Sequence, residues 1–139
     1  MNRVLLRSGR CLIIDCHSFP SIALPYELNQ SEARADFCVG TDEFHTPSPI
    51  RDAIIAGCKQ AGYSVAVDAP FAGALVPLAS YRKDDRVWSV MIEVNRRLYM
   101  DERSGRKNGL FEQVSAAVER LIATAGEWAY SSVGRRRER

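Results

Sequence analysis

The run Val87-Trp-Ser-Val-Met-Ile-Glu-Val94 constrains the chain most. It is rich in the β-branched and aromatic side chains that pack on a pleated surface, so it predicts a strand that other elements must cover. One residue is out of place in it. Glu93, in an otherwise apolar strand, is either buried, and then paired, protonated or functional, or it turns to solvent and Arg96. Burial would lift its pKa toward the working range of a general base.

The remaining patterning supplies a frame for that strand. The uninterrupted apolar run Cys11 to Cys16 predicts a strand buried on both faces and ending at Asp15-Cys16-His17-Ser18. Phe19 to Arg34 holds Pro20, Pro25, Asn29 and Ser31 without a period, which predicts a long loop over the end of that strand. Asp36 to Val39 predicts a second strand, closed by Gly40-Thr41. Thr46-Pro47-Ser48-Pro49 then starts a helix that carries Ile50, Ile54 and Cys58 on one face and stops at Gly62. Ser64 to Val67 predicts another strand, broken by Asp68 to Gly73. A last helix from Asn108, its expected cap, to Glu127 aligns Phe111, Val114, Val118, Leu121, Ile122 and Ala125. Strands alternating with helices predict an α/β layered domain over residues 1–134, with 135–139 a basic, disordered tail.

Composition bounds the function. With 139 residues, 46% hydrophobic and 26% charged, the chain reads as one soluble globular domain. A formal charge of +2, with Arg135, Arg136 and Arg137 at the end, offers no basic stripe on a folded face, so nucleic-acid binding is not expected. The four cysteines form no CxxC pair, and no apolar run reaches the length of a membrane span or of a signal peptide's core. A reduced, cytoplasmic setting and no membrane partner are expected.

Several residues carry possible chemistry. His17, at the end of a predicted strand, is in a position that suits a metal ligand, though spacing alone favours a histidine satisfied by a neighbouring carbonyl or carboxylate, with Asp15 able to serve either arrangement. Asn95-Arg96-Arg97 sets an amide and cations beside Glu93, which fits an anionic substrate or a surface ion pair. His45 lies near Asp42 and Glu43 but lacks a ligand spacing, and ranks as a secondary site residue. Cys16 and His17, as strand neighbours, point to opposite faces and make a poor nucleophile and base.

Five blocks, Leu12 to Phe19, Asp36 to Asp42, Tyr63 to Val65, Pro70 to Gly73 and Ile92 to Glu102, resemble in content and order the successive blocks of the N-formylglutamate amidohydrolase family. The resemblance covers roughly residues 10–125, and its most specific block is Ile-Glu-Val-Asn-Arg-Arg-Leu-Tyr-Met-Asp-Glu. It implies a mixed sheet flanked by helices, of the zinc-carboxypeptidase or phosphorylase-hydrolase kind, truncated at the amino terminus. It implies zinc-dependent hydrolysis of the formyl amide of N-formyl-L-glutamate or a related N-acyl acidic amino acid, as in histidine degradation. Position by position it makes His17 the family's last metal ligand, Glu93 the catalytic base and Arg96 a clamp for the substrate carboxylate. Asn95, Arg34 and Asp36 complete the expected substrate-binding set, with Arg34, Arg96 and Arg97 the cations available to a tetrahedral oxyanion. The family's first metal ligands come from a segment upstream of Asp15-Cys16-His17-Ser18, and little chain precedes Cys11. The chain alone is therefore expected to hold zinc weakly and to show little activity, and a homo-oligomer or a companion amino-terminal chain is an expected partner. The alternative is a catalytically inactive homologue serving as a ligand-binding or assembly module.

Overall fold

The structure is a computed structural model and describes residues 1–134. The expected tail at 135–139 lies outside the described residues. Four strands, β1 (Cys11–Phe19), β2 (Phe37–Gly40), β3 (Val65–Val67) and β4 (Val87–Asn95), form a mixed sheet in the order β1-β4-β2-β3. Helix α1 (Asn2–Ser8) precedes β1, α2 (Ser48–Gln60) links β2 to β3, and α3 (Phe111–Gly134) closes the described chain.

Strand β4 runs parallel to β1 and antiparallel to β2, while β2 and β3 are parallel and joined through α2. Parallel neighbours need such a crossover, and α2 is built for it. Pro47 stands at its N-cap, Pro49 inside the first turn, and Ile50, Ile54 and Cys58 are buried on its inner face.

The period of two along β4 divides the molecule. Val90, Ile92 and Val94 join Phe37 and Val39 of β2 in a core with Ile50, Ile54, Cys58, Val114, Leu121 and Ala125 of the two long helices. On the opposite face stand Ser89, Met91, Glu93 and Asn95, covered by the connections at 20–36 and 68–86 rather than by helices. His45 belongs to this covering. Its buried ring hydrogen-bonds through Nδ1 to the Val87 carbonyl at 2.7 Å, and Nε2 accepts from the Arg82 amide at 2.8 Å. Both nitrogens being engaged, His45 braces the start of β4.

Three expectations need correction. β1 is not buried on both faces: it is the edge of the sheet, with only its end residues Cys11 and Phe19 buried. Its apolar run gave no sign that Asp15, Cys16 and His17 occupy the more open stretch. The strand also continues past His17 to Phe19, so His17 lies within it. Helix α3 starts at Phe111 and runs past Glu127, while Asn108 caps the preceding turn by accepting from the Leu110 amide at 2.9 Å. Helix α1 has no counterpart in the expectations, because seven residues carry too little periodicity to be recognised.

The connection at 20–36 is held from inside by Arg34. Its guanidinium, 1% exposed, pairs with the Glu27 carboxylate, 6% exposed, and donates to the Pro20 carbonyl at 3.1 Å and the Asn29 carbonyl at 3.0 Å. Burial alone would push the Glu27 carboxyl up, but the hydrogen bonds from Arg34 and the Leu24 amide, with the charges of Arg34 and Arg96, together outweigh it and hold the group below the ordinary range. A depressed carboxylate stabilises the fold above its unfolded pKa, and that contribution is lost as pH falls through the lower folded value. Glu27→Gln leaves a buried guanidinium without its counter-charge and is expected to cost about 3–5 kcal/mol at neutral pH. The gap from the native protein should narrow in acid, and denaturant unfolding across pH checks this. Gly40 faces Met91 across the sheet, and a Cβ there would collide with the Met91 side chain and the Gly73 carbonyl oxygen. Gly40→Ala is expected to lose about 1–3 kcal/mol in the same assay.

Candidate functional site

The site lies on the loop-covered face of the sheet. Parallel pairing sets His17 of β1 beside Glu93 of β4, and antiparallel pairing sets Cys38 of β2 on the other side of Glu93. Register partners project to the same face about 4.8 Å apart, so the imidazole, the carboxylate and the thiol form one row. The hydrophobic alternation of β4 fixes this arrangement, since Val90, Ile92 and Val94 must face the helices and Glu93 therefore cannot.

Glu93 is 7% exposed, and its Oε2 is buried without a hydrogen-bond partner among the described residues. Desolvation pushes its carboxyl above the ordinary range, against the opposing pull of the His17 and Arg96 charges. A buried carboxylate oxygen left unbonded beside a titratable ring is the arrangement expected of a general base awaiting a proton.

His17 is the open end of the row, with 51% of its side chain exposed. Its Nε2 contacts Asp15 Oδ1 at 2.9 Å, two residues back on the same face. That hydrogen bond holds the imidazole above its usual pKa, burial opposing and the Asp15 and Glu93 charges adding. A carboxylate that orients a ring through one nitrogen leaves the other for a ligand. Catalytic zinc takes three protein ligands, and no group of three His, Cys, Asp or Glu side chains able to hold a metal occurs among the described residues. The residues present fit one side of such an ion, through His17 with Asp15 behind it.

Arg96 follows β4 directly and crosses to β1. Its Nε donates to Ser18 Oγ and its Nη2 to the Ser18 carbonyl, both at 3.1 Å, which keeps its charge beside Glu93. The other expected contact residues form the frame. Asn95 is fully buried and donates to the Ala35 carbonyl at 3.2 Å. Asp36 accepts from the Ser64 amide and hydroxyl and from Arg97 at 2.8 Å. Burial raises the Asp36 carboxyl, and the Ser64 and Arg97 hydrogen bonds more than reverse it, leaving it below the ordinary range. Arg34 is committed to Glu27. The structure thus gathers His17, Asp15, Glu93 and Arg96, and places Asn95, Asp36 and Arg34 behind them. Sequence reasoning missed Glu27, which neutralises Arg34, and Cys38, which flanks Glu93. Cys38 is brought beside Glu93 by the register of β2 with β4, and Glu27 sits in an aperiodic loop, so neither carried a local signal.

The fold has counterparts among known proteins. The family model described as N-formylglutamate amidohydrolase matches residues 1–100, which contain every residue of the row and its frame. The solved structure of N-formylglutamate amidohydrolase from Ralstonia eutropha JMP134 superposes with a TM-score of 0.74 at 26% identity, over 96% of this chain and 48% of that one. A gene product of Agrobacterium tumefaciens gives a TM-score of 0.52 at 20% identity, over 96% and 47% of the two chains, a likeness of fold. This chain spans about half the length of the solved structures it matches. A search of curated proteins finds no match. With its model matching 100 of the 139 residues, the chain belongs to the N-formylglutamate amidohydrolase family.

Proposed function

We propose that the chain carries the base and one metal-ligand position of an amide-hydrolysing site for N-formyl-L-glutamate or a related N-acyl acidic amino acid. The observation behind this reading is the pairing of His17 with Glu93 on one face of the sheet, with the inner carboxylate oxygen buried and unbonded. A zinc ion at His17, when bound, would supply an acidified water and polarise the scissile carbonyl. Glu93 accepts the proton of the attacking water and delivers it to the leaving amine. Burial raises its pKa above the ordinary carboxylate range, the direction that favours both steps of a proton relay. Arg96, fixed on Ser18, meets the substrate's carboxylate, and Asn95, Asp36 and Arg34 hold the walls against which the substrate lies. Asp15 orients the imidazole.

The reading extends to histidine degradation in the cytoplasm, a reduced setting that suits four unpaired cysteines. No helix of the described residues is long and apolar enough to cross a membrane. A ligand-binding or assembly module is the second reading. Metal and activity measurements on the same protein separate the two.

Zinc is expected to raise the thermal midpoint of the protein, weakly, since a ligand that binds only the folded state stabilises it by mass action. The shift should vanish in His17→Ala, and a native protein indifferent to zinc would count against the metal assignment. Glu93→Gln is expected to lower zinc-dependent hydrolysis of N-formyl-L-glutamate by about 10²–10⁴-fold. The same variant should be more stable than the native protein at neutral pH. Glu93's folded pKa lies above its unfolded value, so ionisation above that range opposes folding and glutamine escapes the cost. Unchanged hydrolysis by the variant would exclude Glu93 as the base.

A further inference from the structure

Two aromatic rings close over the polar face of the sheet beside Glu93. Phe19, 1% exposed, ends β1 on the same face as His17 and stands opposite Asn95. Phe71 comes from the connection at 68–86. Its carbonyl accepts from the Cys38 thiol at 3.2 Å, and because Cys38 is the register partner of Glu93, that bond seats Phe71 above β2 next to the carboxylate. The rings meet edge to face, with centroids 6.2 Å apart and planes at 63°. Strands β1 and β2 flank β4 at about 4.8 Å each, so a contact between residues seated on them spans β4 at the level of Glu93 and Asn95.

Both rings are anchored. The Arg34 guanidinium stands 6.0 Å over the Phe19 ring and is itself paired with Glu27. Phe71 is fixed through the main chain around it. Before it, Asp68 donates its amide to the Val39 carbonyl at 3.0 Å and accepts from the Thr41 amide at 2.7 Å. After it, the Gly73 amide returns to the Asp68 carboxylate at 3.3 Å, and the Leu75 carbonyl accepts from Ser89 Oγ at 2.7 Å. The Gly73 carbonyl oxygen lies so close to Gly40 that a Cβ there would strike it. A segment tied down on both sides of one aromatic residue presents that residue as a wall.

The direction of the substrate comes from the proposed function, on which this inference rests. Arg96, bonded to Ser18 of β1, takes the substrate's carboxylate. The acyl group then leaves the scissile carbon on the opposite side of Glu93, over β2, where Cys38 and Phe71 stand. We infer that Phe71 is a specificity-determining residue that sets the size of the acyl group, its ring admitting formyl and turning away acetyl and longer chains. A hydrogen on the carbonyl carbon passes the ring, whereas each added carbon meets a side chain that its anchored main chain cannot carry away.

Calorimetric titration of the zinc-supplemented protein with N-formyl-, N-acetyl- and N-butyryl-L-glutamate tests this, with hydrolysis of the same three compounds as a separate readout. Native protein is expected to bind the acetyl compound at least about tenfold more weakly than the formyl one, the scale of one added carbon in a close-fitting apolar pocket. Phe71→Ala should tighten the acetyl and butyryl constants until all three lie within about threefold of one another. Phe71→Leu, which disturbs the packing less, should admit acetyl and still reject butyryl. Circular dichroism confirms that each variant is folded. Native protein that binds all three alike, or discrimination that persists in both variants, overturns the inference. Hydrolysis of N-formyl-L-glutamate without acyl discrimination would remove the wall and leave the proposed function standing. Binding graded by acyl size and levelled in Phe71→Ala, without hydrolysis, would uphold the wall and count against the function, and failure to bind any of the three overturns both.

Discussion

The hydrogen-bonded ladder between β1 and β4 is the constraint on which the rest of the molecule depends. β4 is buried along nearly its whole length, so its side-chain alternation leaves little choice of orientation: valine and isoleucine go to the helices, and the polar positions go to the loops. Once that is set, the parallel register with β1 determines what stands beside Glu93. A histidine at any even-numbered position of β1 would have faced the helices instead. The chemistry of the site is thus a by-product of core packing, because the same valines that bury apolar area aim the carboxylate away from them.

The two faces of the sheet solve different problems. On the helical side, packing is apolar and continuous from Val39 and Ile92 to Leu121 and Ala125. On the loop side, polar groups are buried by being used. His45 spends both ring nitrogens on main chain, and Ser89 Oγ donates to the Leu75 carbonyl at 2.7 Å. Asp68, at a positive φ of 52°, holds its turn by accepting from the Thr41 amide and hydroxyl. Against that background Glu93 Oε2, unbonded like the Arg34 Nε, is a carboxylate oxygen left open, and exceptions of this kind are where function concentrates.

Much of this was legible before the coordinates. Strand β4, helix α2 and the turn at Gly62 follow from apolar period and from proline and glycine, and the blocks around Asp15-Cys16-His17-Ser18 and Ile92 to Glu102 pointed to the family that the comparisons show. His17 and Glu93 were singled out by residue type and position alone. What sequence could not resolve was strand order. An uninterrupted apolar run such as Cys11 to Cys16 is the usual mark of a central strand, and nothing local shows that its outer neighbour is absent from the described residues. The roles of Arg34, Asp36 and Asn95 were equally hidden. A cation, an acid and an amide near a base look like substrate contacts until their partners Glu27, Ser64 and Ala35 are brought in from elsewhere.

The bond from Arg96 to Ser18 joins residues 78 positions apart. Closing so wide a loop costs conformational entropy before any contact repays it, and parallel pairing of this kind is slow to form. Helix α2 and its flanking pair β2 and β3 are close in sequence and are free to organise first. The ribosome has to release β4 before β1 can pair with it, so during synthesis the histidine half of the site is made well before the glutamate half.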